Sequence, residues 1–185
     1  MSSIAMQGGA TGSGTVTLLA PSTSTNRTIN LPDSNGTILT TATAGVPVNG
    51  PAFAAQIGTN QSISAATSTK LAFSSELFDT NTNYDNSTNY RFTPTVAGYY
   101  QINLCQEFSA FTGVQAVTIN KNTGRIASGG GMANNTSTWF STASALVYLN
   151  GTTDYIEAYA YTAQASTAFA GTSSLFSGAM VRSAT

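Results

Sequence analysis

The stretch from Tyr90 to Phe108 constrains this chain more than any other. Tyr90 to Thr93 begins as an extended run that Pro94 stops, because proline has no backbone N–H and pushes the residue before it into an extended conformation. A turn ends at Gly98. From there Tyr100, Ile102, Leu104 and Phe108 fall on one side of the chain, while Gln101, Asn103 and Glu107 fall on the other. Alternation of period two over that length predicts a long strand with one buried face and one wetter face. Such a strand needs partners, and most other segments read as partners for it.

The further strand candidates are Ala52 to Gln56, Lys70 to Phe73, Val114 to Asn120, Arg125 to Ser128, Thr138 to Leu149, Asp154 to Tyr161 and Ser174 to Val181. Turn residues separate them, with Asn122–Gly124 before Arg125 and Asn150-Gly151 after Leu149. No segment carries a helical period. Many short strands with turns between them predict an all-β domain, a sandwich or jelly roll. Gly129-Gly130-Gly131 is followed by neither a lysine nor a helix, so it reads as a surface loop and not as a phosphate cradle.

At 185 residues the chain is long enough for one main domain with a real core, plus an appendage. Charged residues are 7% of it, against about 25% in an average soluble protein. The 41% hydrophobic content and the alternation argue for order despite that low charge. Net charge is −1 with no basic run, which leaves no electrostatic footprint for nucleic acid. No apolar stretch is long enough for a membrane-spanning helix, and no basic-then-apolar signal pattern opens the chain.

The residue types also exclude most chemistry. There is no histidine, so no Ser–His or Cys–His arrangement can form. Cys105 is the single cysteine and reads as a small apolar strand residue. Asp154 and Glu157, three apart on a strand, point to opposite faces and make a poor glycosidase pair. No enzyme is expected. Asp79 and Asp85 flank the polar loop Thr80 to Tyr84 and are the best placed acids for a calcium loop, the one cofactor considered, although a solvated Asn/Asp loop accounts for them as well. Trp139 and Phe140 fit either a carbohydrate-stacking patch or a core or interface position. Tyr155, Tyr159 and Tyr161 alternate along one strand face. With Tyr99 and Phe176 they fit a subunit interface or the body of the jelly roll itself.

The first fifty residues differ in kind. Residues 1–43 hold three short strand-like runs, Thr15 to Leu19, Thr28 to Leu31 and Thr37 to Thr40, with Asn35-Gly36 as a turn signal between the last two. Their few large apolar side chains, Val16, Leu18, Leu19, Ile29, Leu31, Ile38 and Leu39, are too few for a core, so the segment needs another surface to lie on. Residues 44–50, with Gly45, Pro47 and Gly50, read as a linker to a head domain at 51–185.

Two resemblances follow from these residues. Gly14-Thr-Val-Thr-Leu-Leu-Ala-Pro21 and Arg27-Thr-Ile-Asn-Leu-Pro-Asp-Ser-Asn-Gly-Thr-Ile-Leu-Thr-Thr41 resemble the β-rich repeat of bacteriophage tail-fibre and other virion proteins. That resemblance covers about thirty residues and implies a shaft or attachment role. In the head, the ordered landmarks are Pro51-Ala-Phe53, Leu71-Ala-Phe73, Asn83-Tyr-Asp85, Tyr90-Arg-Phe-Thr-Pro94, Ala97-Gly-Tyr-Tyr100, Leu146-Val-Tyr-Leu149 and Leu175-Phe-Ser-Gly178. Together they resemble the globular head of complement component one, subcomponent q, a jelly roll related to tumour necrosis factor. The resemblance implies about ten strands, assembly as a homotrimer, and calcium in apical loops of some relatives. It departs from that pattern in its low charge and in lacking a strict Gly-Asp pair after Asn150-Gly151. The combined expectation is a trimeric virion protein that decorates a capsid, bound to the major capsid protein or another virion protein through its N-terminal arm. The rival is a tail-fibre tip that grips host surface glycan.

Overall fold

The computed structural model describes residues 50–134 and 137–184, together with Ser24 and Asn26. Thirteen strand segments follow one another: β1 (Ala52–Gln56), β2 (Gln61–Ile63), β3 (Thr69–Lys70), β4 (Ser75–Asp79), β5 (Tyr84–Asp85), β6 (Arg91–Phe92), β7 (Gly98–Phe108), β8 (Thr112–Lys121), β9 (Gly124–Asn134), β10 (Trp139–Leu149), β11 (Ile156–Thr162), β12 (Ser166–Ala168) and β13 (Ser174–Ser183). Among the described residues the only helical piece is a single 3₁₀ turn, Gly171–Ser173.

These strands form two antiparallel sheets. The first has β7 at its centre, paired with β10 on one side and β13 on the other; β13 continues through β1 to the edge strand β4, while β12 and β2 extend the end of β7. The second runs β5–β6–β11–β8–β9, with β3 also pairing to β11. Non-sequential neighbours in both sheets, packed face to face, make a jelly roll.

The long alternation in β7 does what its residues predict. Gly98, Tyr100, Ile102, Leu104, Gln106 and Phe108 are buried, and the residues between them face out. Val117 and Ile119 of β8, Ile156, Ala158 and Ala160 of β11, and Phe176 of β13 complete the interior. Aromatic rings gather at one end, where Phe53 stacks on Tyr84 at 4.8 Å and on Phe92 at 4.4 Å and meets Phe176 edge-on at 5.0 Å. Each such ring contributes about 2–3 kcal/mol by burial alone.

The Gly129–Gly131 run is a correction to the sequence reading. It is not a loop but the middle of β9, in register with Val117, Ala116 and Gln115 of β8. A Cβ on Gly129 would lie 1.7 Å from the Thr142 carbonyl oxygen of β10, so only glycine lets the two strands approach this closely. At the other predicted turn Gly151 has φ +72°, and a side chain there would strike the backbone of Ala97. Asn150 Oδ1 completes that turn by accepting the N–H groups of Thr152, Thr153 and Asp154.

Candidate assembly face

The two sheets present very different outer surfaces. On the β10–β7–β13–β1–β4 sheet, strand register aligns Tyr99 with Tyr148, Gln101 with Leu146 and Ala179, and Asn103 with Ser144 and Ser177. Tyr99 and Tyr148 pack ring to ring at 5.6 Å. Leu146 is 64% exposed, Phe140 56% and Phe78 50%; Leu175 and Val181 are open as well. From Gln101 to Cys105 on β7, and along the residues paired with them, no charged side chain faces out. Glu107 and Arg182 stand at the two ends. The polar groups in the middle satisfy one another: Gln101 Nε2 donates to Ser144 Oγ at 2.7 Å, and Ser144 Oγ donates to Asn103 Oδ1 at 3.1 Å. Shallow grooves cross this face, one of them bordered by Asn103, Cys105, Thr142, Ser144 and Leu175. Burial and the nearby Glu107 carboxylate both push the Cys105 thiol up, away from the thiolate form.

The opposite sheet covers the Tyr155 and Tyr159 rings with charge. Lys70 Nζ lies 2.5 Å from Glu157 Oε1, and Tyr159 Oη donates to Glu157 Oε2 at 2.9 Å. Burial and that carboxylate push the Tyr159 hydroxyl up to about 12. The Arg91 guanidinium sits 4.4 Å above the Tyr155 ring. At the sheet's end Lys121 Nζ reaches Asp154 Oδ2 at 2.8 Å and the Tyr148 carbonyl at 2.9 Å. Burial pushes Asp154 up, but hydrogen bonds from Lys121, Asn122 and Asn150 outweigh it and leave the carboxyl below its ordinary value.

The structure thus separates the aromatic residues singled out by sequence. Phe176 is fully buried in the core. Tyr155, Tyr159 and Tyr161 lie on the β8 sheet, half-buried, and Tyr99 lies on the β7 sheet at the end where Arg182 pairs with it. Trp139 and Phe140 diverge because neighbouring strand residues point to opposite faces. Trp139 packs against the core, and its indole N–H is buried without an acceptor; Phe140 joins the exposed apolar face. They do not form one stacking platform.

Asp79 and Asp85 each organise their own turn. Asp79 accepts the N–H groups of Asn81 and Tyr84, and Asp85 accepts those of Ser87, Thr88 and Asn89. The Thr88 and Ser87 N–H groups hold the Asp85 carboxyl well below the usual carboxylate range. Calcium asks for six to eight oxygens. These carboxylates are already engaged, and no cluster of three or more His, Cys, Asp or Glu exists among the described residues, so the donor set does not fit that ion. Val16, Leu18, Leu19, Ile29, Leu31, Ile38 and Leu39 lie outside the described residues.

Sequence reasoning missed the contrast between the faces. Its signal was present in β10, where Phe140, Leu146 and Tyr148 occupy the strand positions that alternation assigns to water.

No protein-family model and no curated protein matches the sequence. Solved structures share the fold. The globular domain of zebrafish complement 1qA aligns with a TM-score of 0.55 at 15% identity, over 72% of this chain and 98% of that one. Mouse APRIL aligns at 0.58 and 8% identity, over 71% and 98%. The Eiger TNF of S. frugiperda aligns at 0.56 and 10% identity, over 74% and 94%. The head has the jelly-roll fold shared by complement C1q and tumour-necrosis-factor domains.

Proposed function

We propose that this chain is a non-enzymatic structural protein of a bacteriophage particle. In this reading it is a homotrimer that decorates the capsid, with residues 1–43 as the anchoring arm, 44–50 as the linker and the head projecting outward. The observation that carries it is the apolar outer face of the β7 sheet, whose centre from Gln101 to Cys105 bears no outward charge. A face that exposes Phe78, Tyr99, Phe140, Leu146 and Leu175 together is costly in water and suits the buried centre of a subunit interface. In a closed cyclic assembly each copy gives the same surfaces, so one apolar face on every chain can be covered without any other partner. The fold resemblance supports three copies around an axis. The arm's likeness to virion repeats supports the particle, and one short arm suits a threefold capsid position better than a long reaching fibre.

Counting this chain against the major capsid protein in purified particles, by quantitative mass spectrometry, tests the placement. Hundreds of copies are expected. A handful, in a multiple of three, would move the protein to a tail-fibre tip and favour host glycan as its partner. Complete absence from particles would overturn the virion reading.

A further inference from the structure

If the β7 sheet faces other copies, the β8 sheet faces outward, and it carries a trough that the assembly does not use. Along β8 the outward residues are Val114, Ala116, Thr118 and Asn120. Ala116 is flanked by Tyr161 on β11 and Gly130 on β9, so the floor is low and a tyrosine stands beside it. Ser68, Thr118, Asn120, Arg125 and Tyr161 line the depression, which is open to solvent and has a volume of about 600 Å³. That volume lies in the range of small-ligand sites.

Three features give this trough a chemistry. The register slips between Ile119 and Asn120, an extra residue that turns Arg125 to stand opposite Asn120 at one end. The Arg125 side chain is exposed and has no ion pair or hydrogen bond among the described residues, unlike those of Lys70 and Lys121 on the same sheet. The amide oxygen of Asn120 is covered and has no donor, a state that buried acceptors seldom keep without a partner. No acidic residue borders the trough.

We propose that this trough binds an acidic saccharide. A sugar ring lies over the small floor against the flat face of Tyr161, its hydroxyls meet Thr118 and Ser68, and its carboxylate pairs with the Arg125 guanidinium. A planar fork of donors suits a carboxylate better than an ammonium does. An acidic peptide would use the guanidinium but not the hydroxyl rim of Ser68 and Thr118. The inference deepens the reading above by giving the outward face a ligand class.

The test titrates the intact chain with a hyaluronan tetrasaccharide and, separately, with neutral chitotetraose, following β8 and β11 amide shifts by NMR. Binding of the acidic sugar at millimolar or tighter is expected, with chitotetraose about tenfold weaker. Arg125→Gln should abolish that preference, and because Arg125 is exposed the variant keeps its core. Tyr161→Ala should weaken both sugars. Light scattering on each sample reports assembly separately, so failure to bind with the trimer intact overturns this inference alone. Equal affinity for the two sugars, an unchanged preference in Arg125→Gln, or equally tight binding of polyglutamate would also overturn it.

Discussion

The two outer faces of this sandwich carry similar numbers of large side chains and solve the problem of exposing them in opposite ways. On the β8 sheet, Lys70, Arg91 and Glu157 lie over or beside the tyrosines, so rings and charges satisfy each other within one chain. On the β7 sheet Gln101, Ser144 and Asn103 bond to one another, Tyr148 has the Lys121 ammonium 5.8 Å from its ring at one end, and Leu146 and Phe140 remain open with no charge over them. On the first face the charges cover Tyr155 and Tyr159, and Val114 and Met132 stay exposed. The second is complete only when something apolar covers it. The aromatic content of a strand therefore says less about assembly than the charges that its cross-strand neighbours supply.

The sharpest way to break this comparison is a matched pair of substitutions. Leu146 on the β7 sheet is 64% exposed and Met132 on the β8 sheet is 65% exposed, so accessibility alone predicts the same tolerance. Leu146→Glu should place a charge in the covered face and cost about 2 kcal/mol or more per interface, seen as dissociation to single chains in sedimentation. Met132→Glu should leave the mass unchanged. Equal behaviour of the two would erase the distinction between the faces.

A smaller effect tests the self-contained face. Glu157→Gln removes the charge that Lys70 and Tyr159 share. Because Lys70 is about one-third exposed, screening lowers the loss to roughly 1–2 kcal/mol, measured by urea unfolding. The variant should still assemble. Loss of assembly in Glu157→Gln would mean that the β8 sheet takes part in the interface.

The smallest effect concerns acid. Asp85 and Asp154 both have folded-state values below the ordinary 3.8, so they stabilise the fold fully above that pH. Their contribution is lost as pH falls below 3.8 and their carboxyls protonate. Thermal stability should hold level from neutrality to about pH 4.5 and drop below it, with a shallower drop in Asp85→Asn. A midpoint that falls between pH 7 and pH 5 would point to a different group.

Much of the fold is legible in the chain because period-two alternation is a local signal. Tyr100 to Phe108 in β7 and Ile156 to Ala160 in β11 state which side chains face in, and Asn150-Gly151 states its turn. β9 is not legible in that way. A glycine run normally marks a loop, and the demand for glycine at 129 comes from the Thr142 carbonyl of another strand, a contact that no local pattern encodes. The short strands β2, β4, β5 and β12 are mixed in composition, and their pairing with β12, β1, β6 and β7 is set by the fold and not by a local pattern. The assembly face was half-visible: Tyr99 could be named, but Leu146 and Phe140 become one surface with it only through the β7–β10 register. The trough draws on β8, β9 and β11 and on Ser68 before β3, and nothing in their separate sequences joins them.

The mass of the intact chain in solution, by light scattering at micromolar concentration, tests the central claim most directly. The account predicts three times the 19.0 kDa chain mass, held across dilution. A stable 19.0 kDa species would mean that the β7 sheet stays open to water or awaits a different partner, and would contradict the account.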